Sequence, residues 1–540
     1  MTGGPCPWPA PLALLLVLLL AAPESGAAPA LSEGQGVDRS TALDLPPPGR
    51  TSVPDRSRAV AELYGEEGED PDAEAALALG EVLASSIAAV PKILESREKR
   101  RAEEARLLAA QGAFDRTFEQ SGLGWGNGFY DGRQLDSRLT QPLRTLGADL
   151  YAGYRVSGGD FPVYQDELVT LDRGELNAGL ELPLLRDRAF DERRFKLREG
   201  ELKIDLADAD LLLAKMEVQH GAIRAYYSWV AAGRRLAVLE RLLAIAEDRD
   251  VAFREQFRAG DIAEMEVVEN YQNVLKRRQL ARSARRDFEL AGVDLSLYLR
   301  DADGRPRLPA PTRVPETFPP VSAAVVSDAP SALRRALARQ PELVAIDREM
   351  ERERNRLRLA ENELRPQVDL GVKMARDFGD GSDTRNGTDV IAELTVSVPI
   401  ERRRARGEIG AAEAELRGLA YSRQRIRERL QLQVARLVES VDAAAAFTRL
   451  ARQEADQAKV LEDAEWVRFR EGASSFFLLN VREQNTADAR VRAVEAALGY
   501  FRALADYSLA TADFDALGIG PERFPSSFPE LWPLPEDGAR

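Results

Sequence analysis

The chain has 540 residues, a net charge of −15 and a charged fraction of 30%. This length exceeds what one ordinary hydrophobic core holds, so we expect either several domains or one elongated body. The negative mean hydropathy excludes a protein built from many membrane helices. The acidic balance argues against nucleic acid, which binds to basic surfaces.

The chain begins with a segment that is typical of a secretory signal. Its only long apolar run, residues 12–22, is too short to span a bilayer as a helix. Small residues follow at 25–30 and suit a signal peptidase, so we predict a signal peptide over residues 1–30. Cys6 is the only cysteine and precedes the apolar run, which predicts no lipid anchor and no thiol in the mature chain.

Composition divides the remaining chain into two similar halves. Residues 31–73 are rich in Pro, Gly and acidic residues, a composition typical of a disordered arm. Prolines also predict a linker over residues 301–330 and an extended tail over 518–540. Between these segments we predict two helix–strand–strand–helix repeats, over residues 74–300 and 331–517.

The clearest match between the halves is Phe257-Arg-Ala-Gly260 with Phe469-Arg-Glu-Gly472. Continued without a gap, this alignment places Ser296-Leu297 on Ser508-Leu509, as expected for an internal duplication. Each matched glycine follows about seventy residues with helical periodicity, which as one helix would extend on the order of 100 Å. We therefore predict two very long helices that each end in a sharp turn.

The second long helix shows a single narrow apolar seam, which is typical of a coiled coil. Steps of three and four residues connect its members. The seam comprises Ile409, Ala412, Leu416, Leu419, Ile426, Leu430, Val434, Leu437 and Val441.

Four segments alternate between apolar and polar residues with a period of two, and we predict that each is a strand. Their apolar members are Leu150, Ala152, Tyr154 and Val156; Leu176, Ala178, Leu180 and Leu182; Val368, Leu370, Val372 and Met374; and Val390, Ala392, Leu394, Val396 and Val398. Strands of about ten residues with one apolar and one polar face fit a membrane β-barrel. An ordinary soluble antiparallel sheet is the alternative.

The number of predicted strands per chain indicates that several copies of the chain assemble. Four strands cannot close a membrane barrel, because the smallest have about eight and an open edge in lipid leaves backbone groups unpaired. Two chains would give eight strands, whose interior is filled by side chains, whereas three would give twelve and an open lumen. The inward polar set of Asn177, Glu181, Asp369, Lys373, Glu393, Thr395 and Ser397 suits water there. The sequence thus predicts a trimer.

The sequence offers little for catalysis. His220, the only histidine, lies within a helical pattern, and we interpret it as a helix-surface or core residue. No Gly-rich phosphate-binding loop appears. We therefore predict no enzyme activity, no cofactor and no metal site.

Together these features resemble the TolC family of outer-membrane efflux ducts over about residues 75–515. Further similarities are Arg339-Gln-Pro-Glu-Leu343 and Leu364-Arg-Pro-Gln-Val-Asp-Leu370, which leads into a strand. The resemblance implies an α+β membrane protein of a Gram-negative outer membrane, a homotrimer with a shared twelve-stranded β-barrel and a helical barrel in the periplasm. It also implies a passive duct that docks with a periplasmic adaptor protein coupled to an inner-membrane transporter.

The resemblance also implies roles for individual residues. Adaptor docking would involve the helix tips at Arg258, Gly260, Arg470 and Gly472. A periplasmic gate would involve Glu266 and Glu269 or the apolar residues Phe476, Phe477 and Leu478, and Pro183 and Pro399 would mark the strand-to-helix junctions. The alternative from another class is a periplasmic coiled-coil scaffold or adaptor with a small soluble β domain.

Overall fold

The computed structural model describes residues 75–126, 128–322 and 328–520. The predicted signal peptide and N-terminal arm lie outside the described residues, as does the tail beyond residue 520. The helices are Leu79–Ala89 (α1), Pro91–Gln111 (α2), Glu192–Ala259 (α3), Glu264–Ser296 (α4), Ala329–Arg339 (α5), Pro341–Glu363 (α6), Arg403–Arg470 (α7) and Phe476–Ala510 (α8). The strands are Thr117–Gly124 (β1), Arg133–Pro142 (β2), Asp149–Gly158 (β3), Glu175–Pro183 (β4), Gln367–Asp377 (β5) and Thr388–Ser397 (β6).

Each half opens with two helices separated by a single residue before a proline. Val90 and Gln340 take extended backbone angles, which proline favours in the residue before it. Pro91 and Pro341 then occupy the first turn of the next helix, where no amide hydrogen is needed. The predicted linker ends near Asp328, because α5 begins at the next residue. The Asp328 side chain caps this helix by accepting a hydrogen bond from the Ser331 amide.

The two predicted long helices are present and have equal lengths. Both α3 and α7 contain 68 residues. The helices that follow them, α4 and α8, start at Glu264 and Phe476, which lie 212 positions apart, the same spacing as Gly260 and Gly472. The sequence repeat behind this correspondence stays a prediction.

The long helices pack side by side in the order α4, α3, α8 and α7. All nine residues of the predicted α7 seam are buried or half-buried, whereas most of the remaining α7 residues are exposed. The core between the helices is aromatic, with Tyr227 stacked on Phe501 at 4.1 Å between ring centroids and Trp229 fully buried against Phe288. Phe318 of the proline-rich linker stacks on Phe501 at 5.7 Å, so this segment forms part of the core.

All six strands form one antiparallel sheet in the order β1-β2-β3-β4-β5-β6. The four predicted strands are confirmed as β3, β4, β5 and β6. Two predictions were wrong, because the β1–β2 hairpin was not predicted. The sheet has six strands per chain rather than four, and the first half contains four strands between its helices instead of two. Its strands have few apolar residues and no clean alternation, since Gly, Gln, Ser, Asp and Arg occupy most positions.

The hairpin raises the number of strands in the sheet from the predicted four to six per chain. Three chains of six strands would give eighteen, and two chains would give twelve, so strand number no longer selects a trimer. The hairpin belongs to an insertion in the first half. Between α2 and β3 the chain runs through residues 112–148, whereas residues 364–366 alone connect α6 to β5.

Candidate functional site: the two-faced sheet and the helix tips

One face of the sheet is apolar. In an antiparallel ladder, residues paired across two strands lie on the same face. Leu150 pairs with Leu180, Leu180 with Val372 and Val372 with Ala392, so the apolar residues of the four predicted strands share one side. Many of these side chains are exposed in the isolated chain, including Leu150, Leu176, Val372, Met374, Val390, Leu394 and Val396. This is the apolar face.

The opposite side is the polar face. The register places all seven residues of the predicted inward polar set on it. Ile391 is an apolar exception, paired with Lys373. The period-two prediction of one apolar and one polar side is therefore correct.

Ion pairs bind neighbouring strands together on the polar face. Arg155 of β3 donates to Glu175 of β4 at 2.7 Å, and Lys373 of β5 lies 3.2 Å from the same carboxylate. Asn177 also donates to Glu175, at 3.0 Å. Glu175 is almost fully buried although it faces the polar side. These charge-assisted contacts fix the polar-face side chains against the sheet rather than leaving them free in solvent.

Each of the two junction prolines lies between a strand and a long helix. Pro183 is the last residue of β4, and Pro399 follows β6 by two positions. Arg193 in the first turn of α3 donates twice to Asp149, the first residue of β3, at 2.8 and 2.9 Å. This bidentate pair links the base of the sheet to the start of the helix.

The helix tips are the turns at residues 260–263 and 471–475. Gly260 has φ = +86° and Gly472 has φ = +74°, the left-handed conformation that ends a helix without a steric penalty only for glycine. Arg258 and Arg470 are exposed beside these turns, and the Arg470 guanidinium lies 4.8 Å from the Trp466 ring centroid.

Both tips lie at the same end of the helices. Phe476, immediately after the second tip, contacts Phe253 of α3 with 5.0 Å between ring centroids. Phe253 is seven residues, about two helical turns, before Gly260. The predicted alignment of the two glycines is thereby supported.

The predicted gate residues occupy different environments. Phe476 is buried against Phe253 and beneath the Arg249 guanidinium, so it belongs to the packing between α3 and α8. Phe477 is 65% exposed, and Leu478, Glu266 and Glu269 are half-buried. The gate itself stays a prediction, for which Phe477 is the apolar residue with the most exposed side chain.

A buried charge cluster near the tips was not predicted. Arg249 of α3 and Arg277 of α4 both donate to Glu483 of α8, Arg277 at 3.0 Å, and both also donate to Asn480 at 3.2 Å. Burial lowers the pKa of the Arg277 guanidinium, and Glu483 opposes that shift. We call these four residues the tip cluster. Its contacts join residues of α3 and α4 to residues of α8 more than 200 positions away, and only an unusual Arg and Glu on otherwise apolar helix faces could have indicated it.

The only histidine also has a partner that the sequence did not indicate. His220 of α3 lies 2.6 Å from Asp506 of α8, which also accepts a hydrogen bond from Arg224 at 2.8 Å. The contact joins positions 286 residues apart. It is an interhelical polar contact, consistent with a structural role.

Substituting alanine at either tip glycine is expected to destabilise that turn by about 1–2 kcal/mol, because an L-residue is strained in the left-handed conformation. No atom lies within 4 Å of an added Cβ at Gly260 or Gly472, so strain is the whole effect. Gly418→Ala in the middle of α7 is the matched control. It also meets no atom, but its helical backbone predicts a gain of about 0.5–1 kcal/mol. Hydrogen exchange measures the local stability of the tip peptides and of the mid-helix peptide in these variants. An equal change of stability in the tip variants and in Gly418→Ala would contradict strain at the turns.

No family profile matches the sequence, and no curated protein matches it significantly. Solved structures do match. The CmeC outer membrane channel of Campylobacter jejuni aligns with 83% of this chain and 90% of its own, at a TM-score of 0.55 and 12% identity. The open-state MtrE outer membrane channel of Neisseria gonorrhoeae aligns with 82% of this chain and 90% of its own, at 0.55 and 14%.

This chain has the fold of the TolC-like outer-membrane channels. The outer membrane protein VceC of Vibrio cholerae agrees, with 82% of this chain and 96% of its own aligned at a TM-score of 0.52 and 13% identity. The resemblance found in the sequence motifs is confirmed at the level of the fold. The structural neighbours are channel proteins rather than enzymes.

Two further findings concern the described residues of this TolC-like chain. None of its described helices combines the length and apolar character that a bilayer-spanning helix requires. Across the same residues, His, Cys, Asp and Glu side chains form no group of three or more that could hold a metal ion.

Proposed function

We propose that the chain is the outer-membrane channel subunit of a tripartite efflux or secretion system. One observation carries the proposal: an antiparallel sheet with one apolar and one polar face continues directly into two 68-residue helices. The apolar face suits lipid, and the polar face suits a water-filled lumen. The duct is passive, and a coupled inner-membrane transporter supplies the energy.

The assembly that we propose is a homotrimer. The TolC-like fold implies it, and the flanks of the helical layer support association between copies. The outer sides of α4 and α7 expose large apolar residues to solvent in the single chain. They are Met265, Val268, Leu275 and Leu290 on α4, and Tyr421, Leu432, Phe447 and Leu450 on α7. Large apolar side chains that recur along an exposed helix suit contact with another protein surface.

Docking to a periplasmic adaptor is proposed at the helix tips. Both tips lie at the end of the long helices remote from the sheet, and each presents an exposed arginine, Arg258 or Arg470. Exposed guanidinium groups suit carboxylates on an adaptor. The positions of the sheet and the tips therefore suit the outer membrane and the periplasm.

The alternative function, a periplasmic scaffold with a soluble sheet, is less favoured by the sheet itself. A soluble sheet buries its apolar face against a second layer. Here every residue of β6 is exposed, including Val390, Leu394 and Val396, and within the described residues no helix covers that face.

We expect the mature protein to fractionate with outer membranes, to require detergent for extraction and to form ion-conducting channels in planar bilayers. The apolar face predicts the first two results and the polar lumen predicts the third. Mass measurement in detergent tests the trimer. Release of the protein by osmotic shock in soluble form would contradict the channel and favour the scaffold.

A further inference from the structure

The unpredicted hairpin continues the wall of the sheet. All ten residues of β2 pair with β3, from Arg133 with Gly158 to Pro142 with Asp149. All eight residues of β1 pair with β2 in turn. A hairpin folded away from the sheet as a plug or an external loop would lack this complete ladder.

The hairpin also has one polar and one mostly uncharged side, in line with the other strands. Its register places Glu119, Asp136 and Arg138 on the polar face, where the Arg138 guanidinium lies 4.3 Å from the Tyr151 ring centroid. The apolar face receives Phe118, Leu135 and Leu139 together with uncharged Gln, Ser and Gly residues. Arg133 is the one charge on that face, and it lies at the loop end of β2, where a charge in a membrane barrel costs least.

The two edges of the sheet are complementary in direction. Because six antiparallel strands alternate, β1 and β6 run in opposite directions, and either edge can continue the ladder of another copy. Within the described residues, no strand pairs with the outer edge of β1 or β6. Both edge strands are exposed along their whole length and contain no proline, lysine or bulge that would block pairing.

We propose that each chain contributes all six strands to a shared barrel, in which β1 of one copy pairs with β6 of the next. The inference rests on the proposed outer-membrane function, since an unpaired strand edge in lipid costs several kcal/mol per backbone group. The occupant of the β1 edge is thus a second copy of this chain. The trimer then has eighteen strands instead of the twelve that the TolC resemblance implies.

This strand number affects the duct. Barrel diameter grows roughly linearly with strand number, and barrels of about 16–18 strands enclose open aqueous channels. The hairpin would widen the outer exit by about half relative to twelve strands. Selection of cargo would then fall to the helical part of the duct, and the exit would admit bulky hydrophilic cargo.

Cysteine cross-linking tests the edge pairing in the full-length protein within outer membranes. Cys6 is the only native cysteine, so a Cys6→Ser background carries none. Gln120→Cys on β1 is combined in turn with cysteine at the apolar-face positions 390, 392, 394 and 396 of β6. Successive members of this series are about 7 Å apart along β6, and a disulfide requires Cα atoms within about 7 Å. The series therefore covers several registers of β1 against β6 of the neighbouring copy. Ala152→Cys on β3, combined with the same β6 positions, is the matched control, because it also lies on the apolar face.

We expect the Gln120→Cys series to form covalent multimers with one or two adjacent β6 positions and the Ala152→Cys series to form none. Multimers in the Ala152→Cys series alone would overturn the proposal and leave a barrel of four strands per chain. Membrane-embedded protein with no cross-link in either series would also overturn it. Failure of the proposed function is distinguishable, because the protein would then not be found in outer membranes at all.

A hairpin-free variant provides the reciprocal test. Residues 112–148 are replaced by Leu-Arg-Pro, the connection that the chain itself uses at 364–366. With β3 now at the edge, the Ala152→Cys substitution is expected to form multimers with β6. Equal cross-linking through position 152 with and without the hairpin would overturn the proposal. If this variant does not fold, the comparison of Gln120→Cys with Ala152→Cys in the full chain still shows which of β1 and β3 pairs with β6 of another copy.

Discussion

Glu483→Gln is expected to destabilise the packing of the helix tips by about 3–5 kcal/mol, the usual cost of removing one partner from a buried ion pair. Glu483 is only 3% exposed and is the carboxylate that balances both guanidinium groups of the tip cluster. Without its charge, Arg249 and Arg277 lose the carboxylate to which both donate, and their neighbouring positive charges repel each other. The Arg277 Nη1 bond to the Leu242 carbonyl, 3.0 Å long, cannot replace a carboxylate.

Hydrogen exchange of the peptides around the tip cluster measures this effect as faster local opening. Glu454→Gln is the matched control, because Glu454 of α7 also pairs with an arginine of α8, Arg492, but both side chains are about 51% exposed. An exposed pair is screened by solvent, and we expect no measurable change in its exchange. Equal exchange in the two variants would show that the tip cluster does not hold the helices together.

Leu394→Arg is expected to abolish assembly in the outer membrane, whereas Thr395→Arg is expected to assemble. The two residues are neighbours on β6, both exposed in the single chain, but they lie on opposite faces of the sheet. An arginine on the lipid side near the middle of a membrane barrel costs about 2–4 kcal/mol. On the polar face, which the proposed function assigns to the lumen, the same arginine remains in water, next to Asp369 across the ladder.

Outer-membrane fractionation and single-channel recording distinguish the two variants. Thr395→Arg should produce channels whose ion selectivity is shifted toward anions relative to wild type, since it adds a positive charge to the proposed lumen. Normal membrane assembly of Leu394→Arg would show that the apolar face does not contact lipid. Failure of both variants alike would indicate that β6 tolerates no added bulk, in which case Leu394→Phe and Thr395→Gln separate size from charge.

Much of this architecture was predictable because it is encoded by local periodicity. Period two along β3 to β6 shows which side of each strand is apolar, and the ladder then aligns these sides. The α7 seam shows which side of the helix packs, and its members are indeed the buried ones. The tip turns follow from two glycines at the ends of long helical patterns, because only glycine takes the left-handed conformation without strain.

Other features were decided only by the tertiary structure. The β1–β2 hairpin has little periodicity of its own, and it becomes a strand pair because β3 presents an edge whose backbone groups need partners. Its charges reveal a face only once the register with β3 is known. The tip cluster and the His220–Asp506 contact join residues more than 200 positions apart, on helices whose relative rotation the sequence does not specify. Local sequence thus determined the faces of β3 to β6 and of α7, whereas long-range pairing decided the strand number and the buried polar contacts, because these depend on which elements meet.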